Sequence, residues 1–98
     1  MINSAVIKED YVIRQVPGNL VSDMAGEKVM LSIENGKYYN LGEVGGDIWG
    51  LLSKPISIQN LILTLQSQYE IDLTECEQQV TIFLNQLLKE GLVQVEAP

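Results

Sequence analysis

The chain has 98 residues and a net charge of −7; 46% of its residues are apolar and 19% are charged, which is typical of one folded domain with a modest core. It contains no histidine and one cysteine, Cys76, so we expect no disulfide, no metal or cofactor site and no histidine-based catalysis. Thirteen acidic residues against six scattered basic ones predict a surface that repels nucleic acid and anionic lipid and accepts a basic peptide.

Residues 1–10 precede the first predicted element. They lack the basic start and apolar run of a secretory signal, and we interpret them as a flexible arm before a single domain over residues 11–98. No apolar stretch of the chain approaches the roughly 20 residues that a membrane span requires. A cytoplasmic protein without membrane contact is therefore the expectation.

Three strands are predicted in the first half of the chain. Residues 11–16 are rich in β-branched and aromatic side chains and stop at Pro17, the first residue of a Pro-Gly turn. Residues 28–33 alternate, with an aliphatic face opposite Met30 and Ser32, and residues 37–41 follow after a Glu-Asn-Gly turn. The predicted apolar face of the middle strand consists of Val29, Leu31 and Ile33.

The turn between the second and third predicted strands allows two registers. A two-residue Asn-Gly turn would pair Glu34 with Lys37. A three-residue loop would pair Ile33 with Lys37, and it would place Tyr39 and Leu41 beside the apolar face of the middle strand. Because a slip of one residue reverses every side chain, burial favours the second register. We therefore predict the three-residue loop.

Three amphipathic helices are predicted in the second half of the chain. Pro55 stops the first helix, Ser57 caps the second, and Gly91 ends the third as a left-handed residue. Residues 74–77 are interpreted as a capping box that opens the third helix. The apolar stripes, in chain order, are Val44, Ile48, Leu51 and Leu52 with Trp49 at the margin; Ile58, Leu61, Ile62, Leu65 and Tyr69; and Cys76, Val80, Phe83, Leu84, Leu87 and Leu88.

The order of elements predicts an α+β fold: a three-stranded antiparallel β-meander followed by three α-helices, with a brief closing strand at residues 92–95. The third strand, residues 37–41, lies at an edge of this meander. In the predicted register, the backbone groups of Tyr38 and Asn40 point away from the sheet. They could receive an extended peptide by strand addition.

Backbone hydrogen bonds alone would not hold such a peptide. Two to four bonds of about 0.5–1.5 kcal/mol each fall short of the roughly 8 kcal/mol that micromolar affinity requires. A groove with side-chain pockets must supply the remainder, and one buried apolar anchor contributes about 1.5–3 kcal/mol. We expect the third helix to form the second wall of the groove, through Cys76, Gln79, Val80 and Phe83.

Three segments carry a family resemblance: GKYYNLGEVGGDIWGLL, SIQNLILTLQSQYEID and VTIFLNQLLKEGLV. Over about residues 11–95 the chain resembles the PqqD-like proteins, the recognition elements of ribosomal peptide natural-product pathways. The most specific part is the passage from strand to helix with Leu41, Gly45 or Gly46, Ile48 and Trp49. In length and single-domain organisation, the chain is most similar to the discrete leader-binding proteins of lasso peptide pathways.

The resemblance implies a winged-helix-like fold in which the leader of a precursor peptide adds antiparallel to the third strand and rests in the groove. It also implies presentation of the precursor to a leader peptidase and a cyclase, and, in the lasso branch, a leader tyrosine and proline in the groove. No catalytic residue and no cofactor is implied. By position, the implied peptide-binding residues are Lys37, Tyr38, Tyr39, Asn40, Leu41, Cys76, Gln79, Val80 and Phe83.

A winged-helix DNA-binding domain is the alternative function, because strands and three helices also fit that architecture. Its reading helix would be the third, where Glu75, Glu77 and Glu90 stand against Lys89 alone. DNA binding relies on basic residues that neutralise phosphates, so this helix argues against it. An enzyme is also disfavoured, since the chain offers no histidine, carboxylate pair or metal motif.

Overall fold

Residues 8–97, which the computed structural model describes, form six strands and three helices. In chain order these are β1 (Val12–Gln15), β2 (Asn19–Met24), β3 (Glu27–Ser32), β4 (Lys37–Leu41), α1 (Gly42–Leu51), β5 (Ile56–Ser57), α2 (Ile58–Tyr69), α3 (Leu73–Lys89) and β6 (Val93–Glu96). The strands make two antiparallel sheets, in the orders β5-β1-β6 and β2-β3-β4. The α+β class is as predicted, and residues 1–7 of the predicted arm lie outside the described residues.

The predicted meander is present, but its first strand was wrongly assigned. The outer strand beside β3 is β2, whereas β1 pairs with β5 and β6 in the other sheet. β2 and β3 are joined by Ala25 and Gly26, whose φ angles of 57° and 87° make a two-residue turn of the type I′ kind. Alanine is an uncommon residue for this turn, and β2 is largely exposed. The sequence of β2 therefore shows no apolar alternation, and the Ala-Gly pair after it is a weak turn signal, which is why the strand was not predicted.

The predicted register of β3 and β4 was wrong by one residue. Ser32 pairs with Lys37, and Met30 pairs with Tyr39. The loop has four residues, 33–36, and Gly36 at φ 65° donates its N–H to the carbonyl of Ser32 at 2.8 Å. Within this loop Gly36 is the residue with a positive φ angle, which glycine adopts without steric cost.

The inward face of β3 was also wrongly predicted. Met30 and Ser32 are fully buried, whereas Ile33 is 65% exposed. The Ser32 hydroxyl can be buried because it accepts the N–H of Asn35 at 3.1 Å, which closes the turn. The two errors, in the register and in the inward face of β3, compensate for each other. Tyr39 therefore lies on the inner face of β4 and Tyr38 on the outer face, as predicted.

The core lies between the helices and the inner faces of the two sheets. Trp49, expected at the margin of the α1 stripe, is buried with Ile48 and Leu52, whereas Val44 remains partly exposed. The predicted stripes of α2 and α3 supply most of the other buried residues: Ile58, Leu61, Ile62, Leu65, Cys76, Val80, Leu84 and Leu87. None of the helices in residues 8–97 is both long and apolar enough to cross a membrane.

The helix ends follow the predicted capping chemistry with one exception. Ser57 accepts the N–H of Asn60 at the start of α2, and Gly91 follows α3 at φ 75°. The cap of α3 is Asp72, which accepts the N–H of Glu75, so the predicted capping box at residues 74–77 was wrong. After Gly91, β6 returns to pair with β1, close to the predicted closing strand.

Candidate functional site

β4 forms an edge of its sheet: it pairs with β3 on one side, and no strand among residues 8–97 pairs with it on the other. The direction of its backbone groups follows from the turn after β2. Since Met24 and Glu27 close a two-residue turn, they form a hydrogen-bonded pair, and such pairs recur at every second residue. Odd-numbered residues of β3 therefore bond to β2, and the even-numbered residues Met30 and Ser32 bond to β4.

Two residues of β4 direct their backbone groups away from the sheet. Lys37 and Tyr39 stand opposite Ser32 and Met30, so their N–H and C=O groups are used inside the sheet. By alternation, the groups of Tyr38 and Asn40 point outward from the edge. The sequence had predicted the same two residues through a different register. The edge thus offers a short row of donors and acceptors to an extended chain.

An apolar cavity of about 190 Å³ opens beside the end of β4. Five of the nine predicted site residues line it: Leu41, Cys76, Gln79, Val80 and Phe83. The other four, Lys37, Tyr38, Tyr39 and Asn40, do not line the cavity but precede Leu41 along β4. Since a cavity of about 150 Å³ holds benzene, this one has room for a single large apolar side chain.

Residues of α1 and α2 complete the cavity, and the sequence analysis had not assigned them to the site. They include Val44 and Ile48 on α1 and Tyr69 at the end of α2. Their apolar spacing had indicated only a core role. The 40% exposure of Val44, which is unusual within an apolar stripe, is the structural sign of its place at the mouth.

Gly45 and Gly46 are both explained by close packing. A Cβ on Gly45 would lie 3.1 Å from the ring of Phe83 and 3.4 Å from the Cβ of Leu41, so glycine lets β4 and α3 approach α1. A Cβ on Gly46 would collide with the side chain of Lys28. Both glycines weaken the first turn of α1, and both are required because neighbouring side chains pack directly against the helix backbone there.

Cys76 contributes to the cavity as an apolar side chain. It is buried, and burial raises the pKa of its thiol, with a further contribution from the charge of Glu77. Its Sγ lies 3.8 Å from the carbonyl oxygen of Ile62, to which it is a weak donor. A thiol with a raised pKa is a poor nucleophile, so the position favours packing over chemistry.

A polar network fixes the opposite end of β4 to the end of α3. The hydroxyl of Tyr39 donates to Glu90 Oε1 at 2.7 Å, and Asn35 Nδ2 donates both to the Tyr39 hydroxyl and to the Glu90 carbonyl at 3.0 Å. Lys37 Nζ lies 3.6 Å from the same carboxylate. The Tyr39 hydrogen bond and the Lys37 charge lower the pKa of Glu90. This network links the edge strand to the end of α3.

A second polar contact lies at the rim of the cavity. The hydroxyl of Tyr69 donates to the carboxylate of Asp47. This hydrogen bond, with desolvation and the charges of Asp47 and Glu43, raises the pKa of Tyr69 to about 12. The contact ties the end of α2 to α1, and the carboxylate of Glu43 is near enough for its charge to act on the same hydroxyl.

The outer face of the β2-β3-β4 sheet carries an apolar row that crosses all three strands. Leu20 stands opposite Leu31, and Leu31 stands opposite Tyr38. Leu20 is 59% exposed and Tyr38 is 76% exposed. Leu31 between them is half-buried, and an apolar patch of this kind is typical of interaction surfaces. We call Leu20, Leu31 and Tyr38 the outer row.

Comparisons with known proteins identify a matching family and similar solved structures. The family model for coenzyme PQQ synthesis protein D (PqqD) matches residues 27–93. A comparison with curated protein sequences gave no match. Among solved structures, TbiB1 in complex with the TbiA(beta) leader peptide is 23% identical, with a TM-score of 0.74 over 83% of this chain and 94% of that one.

Two further structures share the fold. Lasso peptide synthetase B1 complexed with its leader peptide is 23% identical, with a TM-score of 0.71 over 84% of this chain and 96% of that one. The solution structure of the PqqD truncation of Methylobacterium extorquens PqqCD, described as a functional, stand-alone RiPP recognition element, is 15% identical. Its TM-score is 0.78, over 95% of this chain and 99% of that one.

Proposed function

The chain belongs to the family of coenzyme PQQ synthesis protein D (PqqD), and from this premise we propose that it binds the leader segment of a ribosomally made precursor peptide of the lasso kind. The observation that carries the proposal is the pairing of an unoccupied strand edge with an apolar cavity at one end of that edge. Two proteins of the same fold are described in complexes with leader peptides, which supports it.

In this proposal the leader lies antiparallel to β4 as a further strand of the sheet. Its backbone exchanges hydrogen bonds with Tyr38 and Asn40, and one of its side chains enters the cavity. The few backbone bonds align the peptide, while the buried anchor contributes about 1.5–3 kcal/mol and selects the sequence. The network of Tyr39 and Glu90 keeps both walls in place before the peptide arrives, which reduces the cost of ordering them.

We further propose that the bound precursor is presented to a leader peptidase and a cyclase. The outer row supports a docking surface for the peptidase, because it ends at Tyr38 on β4, the strand that would hold the leader. A leader added beside β4 would extend this face by one strand, so a partner resting on the outer row would also touch the peptide.

The proposed role is binding without a catalytic step. The cavity is lined chiefly by aliphatic and aromatic side chains, and the thiol that reaches it has a raised pKa. Within residues 8–97, no three His, Cys, Asp or Glu side chains come together as a metal site would require. Such a surface suits recognition of a peptide and offers no acid–base pair for its cleavage.

Amide hydrogen exchange in the presence of a synthetic leader peptide of a lasso precursor tests the proposal. In the free protein, the N–H groups of Tyr38 and Asn40 should exchange rapidly, while those of Lys37 and Tyr39 are protected by β3. Saturation with the leader should protect Tyr38 and Asn40 and shift the signals of Val80 and Phe83. Protection that leaves β4 unchanged, with shifts confined to α2 or β6, would contradict binding in this groove.

A further inference from the structure

The walls around the cavity carry a strongly uneven charge. Between residues 38 and 88 the chain has one basic residue, Lys54, and six acidic residues. All six are chain neighbours of residues that line the cavity, but Glu77 lines a separate surface pocket with Thr74 and Ile82, which leaves five for the rim: Glu43, Asp47, Glu70, Asp72 and Glu75. Lys28 on β3 packs against Gly46 and lines a neighbouring pocket with Asp47 and Tyr69, but its ammonium group pairs with Asp23. The charges left unpaired around the cavity, on α1, on α3 and on the turn between α2 and α3, are therefore acidic.

These rim carboxylates have no basic partner in the part of the chain that the structure describes. The ion pairs within residues 8–97 join Lys28 to Asp23 and Lys37 to Glu90. Asp47 accepts a hydrogen bond from Tyr69, and Asp72 caps α3, but neither contact neutralises the charge. The negative potential at the rim is therefore left for an external cation.

The other end of the groove is close to neutral. There Lys37 is paired with Glu90 at 3.6 Å, and Lys89 and Glu34 are their chain or turn neighbours. Because α3 runs from Cys76 at the cavity to Glu90 beside Lys37, the groove has an acidic end at Leu41 and a neutral end at Lys37. The difference between these ends gives the site a direction.

We propose that the groove selects its peptide by the order of charge: an apolar or aromatic anchor fills the cavity, and basic residues precede the anchor in the peptide sequence. The inference rests on the proposed function, since a peptide antiparallel to β4 brings its N-terminal side to Leu41 and its C-terminal side to Lys37. In a peptide with the reversed order, the same basic residues lie at the neutral end, where Glu90 is already paired with Lys37.

The expected effect is modest for each charge and cumulative for two or three. Exposed charge pairs change affinity about twofold per pair at low salt, so two lysines on the correct side should give roughly a fivefold preference. The rim should also accelerate association, because a field of one sign steers a basic peptide to the cavity. Both effects should fade as salt shortens the Debye length from about 10 Å at 0.1 M to about 3 Å at 1 M.

Two synthetic peptides of identical composition test the order of charge. Each has a tyrosine anchor in a threonine-, valine- and serine-rich strand, with a pair of lysines either before or after the tyrosine. The full chain should bind the first peptide about fivefold more tightly at low salt, and high salt should abolish the difference. Equal affinities, or tighter binding of the second peptide, would overturn the charge order and leave strand addition standing. Binding of neither peptide would count against the groove itself.

A double variant with a matched control identifies the charges. Glu43→Gln with Glu75→Gln removes two rim carboxylates without touching the Tyr69 contact, and it should abolish most of the preference between the peptides. Asp10→Asn with Glu96→Gln removes the same charge beside β1 and β6, on the other sheet, and should leave the preference intact. An equal loss in both variants would show a general effect of net charge and would contradict the inference.

Discussion

Gly45 and Gly50 lie on the same helix but have different surroundings. A Cβ on Gly45 would meet the Phe83 ring at 3.1 Å, whereas a Cβ on Gly50 would meet nothing within 4 Å. In Gly45→Ala the gain in helix propensity should be offset by displacement of Phe83, and we expect leader affinity to fall about fivefold. Gly50→Ala should raise the free energy of unfolding by about 0.5–1 kcal/mol and leave affinity unchanged.

Urea unfolding and peptide titration of both variants measure these effects. Loss of affinity in both would indicate that α1 needs flexibility, and the proposed contact of Gly45 with the groove wall would be wrong. Full affinity in Gly45→Ala would show that Phe83 moves without consequence for the site.

Glu90 makes the stability of the groove depend on pH. The hydrogen bond from Tyr39 and the charge of Lys37 hold the pKa of Glu90 below its ordinary 4.5. A carboxylate with a depressed folded-state pKa stabilises the fold above its unfolded value, and this contribution is lost as the pH falls through the folded value. The melting temperature of the wild type should therefore exceed that of Glu90→Gln at neutral pH, and the two should converge in acid.

Thermal unfolding across a pH series measures this convergence. Glu96→Gln on β6 is the matched control, because Glu96 is exposed and makes no side-chain hydrogen bond within residues 8–97. Its curve should run parallel to that of the wild type. A constant gap between the wild type and Glu90→Gln down to the acid limb would contradict the assigned role of the carboxylate.

At the scale of elements, the backbone of β4 provides the sharpest test of strand addition. The N–H of Asn40 points outward, so Asn40→Pro should keep the sheet and weaken leader binding about tenfold or more. Asn40 also uses its side chain, accepting the N–H of Gly42 and donating to Glu27. Asn40→Ala removes those bonds and keeps the backbone N–H, so it separates the two effects.

The companion variant is Tyr39→Pro, which removes an N–H used inside the sheet opposite Met30 and should destabilise the fold. Circular dichroism, unfolding curves and leader titration distinguish the three variants. If a folded Asn40→Pro variant binds the leader as tightly as Asn40→Ala does, strand addition at β4 is wrong.

The helices were largely predictable from the sequence, while the strand pairing was not. Apolar spacing at 3.6 residues gave all three stripes, but the cap of α3 was ambiguous, since Asp72 and Thr74 both have a glutamate three residues later. The inner face of β3 depended on Ser32, a polar residue that is buried because the turn satisfies its hydroxyl. Side-chain alternation alone carries no such information.

At the scale of the whole molecule, the lining of the cavity was predicted in part. The flank of α3 and the end of β4 could be assigned from the sequence, and the structure brings them to one cavity. The contributions of Val44, Ile48 and Tyr69 depend on how α1 and the end of α2 pack against α3. Those contacts are set by close approach at Gly45, which a pattern of apolar residues does not reveal.

The two proposed surfaces can be separated by substitution, because they lie on different faces of one sheet. Leu20 belongs to the outer row and is 59% exposed, and Ile82 on α3 is 61% exposed. Leu20→Asn should leave leader affinity unchanged, since Leu20 does not line the cavity, but should weaken association of the leader-bound protein with its leader peptidase about tenfold. Ile82→Asn removes a similar exposed side chain away from the outer row and should affect neither interaction.

Peptide titration and the rate of precursor cleavage, measured at several concentrations of this chain, report the two steps independently. The Leu20→Asn variant should require about tenfold more protein for the same cleavage rate and reach the same maximum, because docking rather than cleavage is impaired. Capture and presentation would share one sheet, because the leader would use the backbone edge of β4 and the cavity, while the peptidase would use the side chains of the outer row. Equal cleavage by the Leu20→Asn and Ile82→Asn variants would exclude the outer row as the docking surface while leaving the leader groove in place.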